Sequence, residues 1–109
     1  MIGQQNLATF KGNRNPYLVQ KIQTASKEKL ILMLFEFGSQ SCANQNRDKA
    51  SRVLTELIAA LDFEQEKMAL SFFQIYRYAL DQVQQNHFAV AGGIFSDLAE
   101  IWKTHVLKN

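Results

Sequence analysis

The stretch TASKEKLILMLFEFG, residues 24–38, decides the fold of this chain. Ser26 is suited to start a helix, because its hydroxyl can accept a hydrogen bond from an early backbone N–H. Across residues 30–37 the only polar side chain is that of Glu36. One face of a helix cannot bury so many apolar side chains, so a second surface must cover the flanks.

The apolar residues of this helix divide between a core face and a flank. At about 100° per residue, Leu30, Leu34 and Phe37 share one face, which we expect to enter the core. Leu32 and Phe35 point well to one side of that face. We therefore expect them to be covered by another helix, by the N-terminal segment or by a partner protein.

Three further amphipathic helices follow, each with its own apolar face. The second, capped by Asn46, carries Ala50, Val53, Leu54, Leu57, Ile58 and Leu61. The third carries Ala69, Phe72, Phe73, Tyr76, Leu80 and Val83. The fourth, with Asn86 as its predicted cap, carries Ala91, Ile94, Phe95, Leu98, Ile101, Trp102 and His105. The predicted fold is all-α.

Short loops between these helices favour an antiparallel up-and-down four-helix bundle. Residues 1–16 are polar and aperiodic, which predicts a flexible N-terminal lead. Pro16 can open a short extra helix over residues 17–23, and residues 17–109 form the predicted single domain. With 109 residues, the chain is long enough to bury a core without disulfides or metals.

Composition limits the classes of function. The lone Cys42 fits a small buried residue in a protein of a reducing compartment. No apolar run reaches the roughly 18 residues of a membrane span, and residues 1–15 lack a signal-peptide core, so we expect a cytoplasmic protein without membrane insertion. The net charge of +2 comes from the first 29 residues rather than from one folded face, so nucleic-acid binding is not expected.

No motif predicts an enzyme, and none predicts a metal or a cofactor. His87 and His105 lack the carboxylate or thiolate neighbours that a metal site needs. The acidic residues Asp62, Glu64 and Glu66 precede the third helix, where negative charge stabilises the positive end of the helix dipole. A glycine-rich phosphate loop and a nucleophile elbow are both absent from the sequence.

Several apolar side chains lie off the predicted core faces, among them Ile75 and Tyr78 on the third helix. Scattered singly, such residues are ordinary surface; side by side, they form a groove for an amphipathic helix or an extended peptide. Tyr17 belongs to the same question. It is either an aromatic residue packed on the bundle or a removable cover over the groove.

The order of these motifs resembles that of the FliS-type flagellin export chaperones, which are small helical bundles. The matching positions are Asn15, Pro16 and Tyr17; Thr24, Ala25 and Ser26; Leu30 to Phe35; Ala50, Val53, Leu54, Glu56 and Leu57; Leu61 and Asp62; Ile75, Tyr76, Arg77 and Tyr78; Leu80, Asn86 and Trp102. Phe35 stands where tyrosine is usual. The central helix pair is shorter than the family pattern by about fourteen residues, roughly two turns from each helix.

The resemblance implies a cytoplasmic chaperone that binds the disordered C-terminal segment of flagellin, prevents premature polymerisation and delivers flagellin to the flagellar type III export apparatus. Tyr17, Leu32, Phe35, Ile75 and Tyr78 are the expected client-binding residues, and the expected state is a monomer or a homodimer. Two other hypotheses stay open. One is a self-associating helical scaffold, or a regulator that binds a different helical client. The other is a small nucleic-acid binder, which steep salt dependence of binding would reveal.

Overall fold

The structure is a computed structural model that describes residues 26–107. Over these residues the chain is all-α, with four α-helices and no strands, as predicted. The helices are α1 (Lys27–Ala43), α2 (Arg47–Ala59), α3 (Glu66–Gln84) and α4 (Phe88–Trp102), and a π-helical turn (Lys103–Leu107) follows α4. The predicted N-terminal lead, the predicted helix over residues 17–23 and Tyr17 lie outside the described residues.

The four helices pack as a closed ring, in which each helix contacts its neighbour in the chain and α4 returns to α1. The contact between α1 and α4 is the most extensive, and that between α3 and α4 is the least extensive of the four neighbouring pairs. Short connections between successive helices give the up-and-down order that the sequence predicted.

Helices α1 and α2 begin at the predicted caps. The Ser26 hydroxyl accepts a hydrogen bond of 3.2 Å from the backbone N–H of Lys29. The Asn46 side-chain oxygen accepts one of 3.1 Å from the backbone N–H of Lys49. Both caps satisfy a donor that has no partner within the helix, so the local sequence determines where these helices start.

Two tight turns of the same kind close α1 and α3. Gln45 follows α1 with φ of 55°, and Asn86 follows α3 with φ of 63°, so each residue adopts the left-handed conformation that ends a helix. The next backbone N–H donates back into the preceding helix, over 2.8 Å from His87 to the Gln82 carbonyl in the second turn. The prediction that Asn86 caps α4 is therefore wrong: Asn86 ends α3, and His87 occupies the capping position.

The predicted core face of α2 is confirmed. Its four buried residues are Ala50, Val53, Leu54 and Leu57, while Ile58 and the following Leu61 pack against the core from its edge. Helix α3 contributes Tyr76 and Val83 as predicted, together with Ala79, which the pattern of large apolar residues missed.

Helix α1 buries a different arc from the predicted one. Phe35 is fully buried, with 0% of its surface exposed, so its predicted position on a flank outside the core is wrong. Gly38 and Cys42 continue the same arc at three- and seven-residue spacing, and both are buried. A Cβ atom added at Gly38 would overlap the ring of Phe95 on α4. The buried arc is thus the one whose small residues admit another helix closely.

Helix α4 departs from prediction at its C-terminal end. Ile101 and His105, which were expected in the core, are exposed. The core arc of α4 runs through Phe95 and Leu98. Each three-residue step falls about 60° short of a full turn, so Ile101 lies about 60° beyond Leu98 and about 120° from Phe95, outside the core arc. From Lys103 onward the π-helical turn changes the spacing, which carries His105 out of register with that arc.

Candidate functional site

Helix α4 packs against α1 on one side and against α3 on the other, and we call each line of contact a seam. The two seams differ in the size of the residues that border them. On the seam with α1, small residues bring the two helices together: the Ser39 and Ser96 hydroxyl oxygens lie 3.1 Å apart. One turn away, a Cβ added at Gly92 would lie 3.3 Å from the Cβ of Cys42. Such contacts leave little space between the backbones, so this seam is closed.

An aromatic cluster lies between the helices at the level of Trp102, the last residue of α4. The Trp102 ring meets Phe35 at 5.7 Å and Phe72 at 6.0 Å between centroids, both edge to face. Tyr76 lies 5.8 Å from Phe72. The indole N–H of Trp102 also donates a 2.8 Å hydrogen bond to the Glu28 carbonyl in the first turn of α1. The cluster joins α1, α3 and α4 and gives Phe35 a structural role.

The flank of α3 that faces α4 is identified by the contact between Phe72 and Trp102. Met68 lies four residues before Phe72 and Ile75 three residues after it, so both follow the same side of the helix. Tyr78 continues that line three residues beyond Ile75. Met68 is exposed, as are Ile75 and Tyr78, at 38% and 53% of their surfaces. Large apolar side chains therefore border the α3 side of the second seam.

Helix α4 contributes a matching flank. Gly92 and Ser96 face α1, and Trp102 contacts Phe72 on α3, so α3 lies on the other side of the core face of α4 from α1. Val90 and Ile101 lie eleven residues apart on that side, close to three full turns, and both are exposed, Ile101 at 51%. We define the apolar strip as Met68, Ile75, Tyr78, Val90 and Ile101.

The structure brings together only part of the predicted client-binding set. Ile75 and Tyr78 lie on the apolar strip. Leu32 is half-buried against the core, seven residues before Ser39, and therefore lies along the α1–α4 seam with α4 between it and the strip. Phe35 is in the core, and Tyr17 is outside the described residues.

Sequence reasoning missed the contribution of α4 to the strip. The sequence pattern of α4 predicts a core position for Ile101 and gives no prediction for Val90. The signal was present in their spacing, because residues eleven apart return to nearly the same side of a helix. That side differs from the one that carries Phe95, which is fully buried.

Two depressions lie away from the strip, and both are lined mainly by polar residues. One, of about 550 Å³, follows the α1–α4 seam and is bordered by Glu36, Ser39 and Glu100, among others. The other, of about 440 Å³, lies between the two tight turns and is lined by Gln45, Arg47, Asn86 and Phe88. The exposed large apolar side chains of the strip line neither.

The side chains with possible chemical reactivity, Cys42, Tyr76 and His87, are each buried or close to a hydrogen-bonding partner. Burial raises the pKa of the Cys42 thiol and of the Tyr76 hydroxyl above their ordinary values, so both groups stay protonated near neutral pH. His87 Nδ1 lies 3.0 Å from Gln82 Oε1. Within residues 26–107 no three His, Cys, Asp or Glu side chains gather as metal ligands would. Over the same range, every helix is too short or too polar to cross a bilayer.

No protein-family model, curated protein or solved structure matches this chain. The resemblance to the FliS-type chaperones therefore rests on the order of motifs between Asn15 and Trp102. Flagellin binding stays a prediction. The apolar strip is the structural feature on which we base a function.

Proposed function

We propose that this protein is a client-binding helical bundle of the export-chaperone type, and that the apolar strip is its client-binding surface. The proposal rests on one observation. Large apolar side chains from α3 and α4 lie exposed along one seam, while a separate set of buried residues forms the bundle core. An exposed row of this kind is typical of a surface that receives an amphipathic segment.

The energetics of a flexible client favour such a surface. A segment that becomes ordered on binding loses conformational entropy, and burial of apolar area must offset that loss. At about 25 cal/mol per Å², covering one half-exposed aliphatic or aromatic side chain contributes on the order of 1 kcal/mol before the client's own side chains are counted. Several adjacent anchors are therefore needed, and the strip supplies them in line.

The named client is the C-terminal segment of flagellin, and the sequence motifs support this choice. The motif formed by Ile75, Tyr76, Arg77 and Tyr78 resembles the Leu-Tyr-x-Tyr signature of the flagellin export chaperones. Tyr76 anchors α3 in the core, whereas Ile75 and Tyr78 extend onto the strip. A motif that serves both packing and an exposed contact fits a binding protein that holds its client in the cytoplasm before export.

The decisive experiment is a calorimetric titration of the full chain with the C-terminal segment of flagellin from the same organism, in physiological salt. We expect saturable one-to-one binding with a negative heat-capacity change, because a folding client buries apolar surface. Absence of binding by a correctly folded chain would contradict the proposal.

A matched pair of variants locates the site. Ile75→Glu places a charge on the strip and is expected to weaken flagellin binding at least about tenfold, equivalent to about 1.4 kcal/mol. Leu70→Glu is the control, since Leu70 lies on the same helix, is 47% exposed and is turned about 140° away from Ile75. Equal effects of the two substitutions would place the binding site elsewhere.

Self-association is the competing hypothesis, and one measurement separates it from client binding. Sedimentation of the free chain over a range of concentrations reports whether copies associate. If the chain forms a dimer that the Ile75→Glu substitution dissociates, and if it does not bind flagellin, the protein is a self-associating scaffold.

A further inference from the structure

We draw no further inference here: the strongest candidate, the exposed face that the apolar strip forms along the seam between α3 and α4, carries nothing beyond the proposed function, because nothing in the described part of the chain shows what covers it.

Discussion

The two sides of α4 show how residue size determines whether a helix seam is closed or open. Toward α1 the contacting residues are small, as at Gly38, Gly92 and the paired serines Ser39 and Ser96, and the helices meet closely. Toward α3 the bordering residues are large, and Ile75 and Ile101 keep much of their surface in solvent. A closed seam supplies stability, whereas an open one leaves apolar area available for a partner.

The largest expected effect on stability comes from removing the ring of Phe35, which belongs to both the closed seam and the aromatic cluster. Phe35→Ala removes a fully buried side chain that contacts Trp102 and Tyr76, and is expected to reduce the free energy of unfolding by about 3 to 5 kcal/mol. Urea denaturation monitored by circular dichroism measures the loss. A loss below about 1 kcal/mol would mean that Phe35 is not part of the core.

A smaller effect is expected from widening the closed seam by one methyl group. Gly38→Ala places a Cβ against the Phe95 ring, and overpacking of this kind costs about 1 to 3 kcal/mol. Gly93→Ala is the control, because a Cβ there meets no atom within 4 Å. It should instead gain up to about 1 kcal/mol from helix propensity. Parallel thermal melts compare the two, and a shift of the same sign in both would refute the close packing at Gly38.

The smallest effect on stability is expected at the open seam. Ile101→Gln replaces a half-exposed apolar residue, and the free energy of unfolding should change by no more than about 0.5 kcal/mol. The same urea denaturation as for Phe35→Ala measures it. A loss of 2 kcal/mol or more would show that Ile101 packs in the core, as its sequence position first indicated, and would remove it from the strip.

The sequence alone was sufficient to predict the four helices and the core face of α2. In α2 apolar and polar residues alternate with a single helical period, so Val53, Leu54 and Leu57 could face only one way. Ser26 and Asn46 marked helix starts through chemistry that acts within one turn. Local signals of this kind do not depend on which helix packs against which.

The orientation of α1 and the composition of the strip could not be predicted in the same way. Residues 30–37 are apolar on nearly every side, so hydrophobic periodicity does not select a face. The choice depends on Gly38, which admits the Phe95 ring of a helix far along the chain. For the same reason Ile101 was misplaced, since the side of α4 that closes on α1 is determined by Gly92 and Ser96.

The hydrogen bond from Trp102 to the Glu28 carbonyl joins residues 74 positions apart, at opposite ends of the described chain. Closing such a long loop costs chain entropy, which the packing of α4 on α1 must offset. During synthesis, the covering of Phe35 is therefore completed only after Trp102 at the end of α4 has left the ribosome, although Tyr76 of α3 can contact it earlier. Until then the nascent chain exposes part of the apolar stretch that later forms its core, and transiently exposed apolar surface of this kind is prone to aggregation.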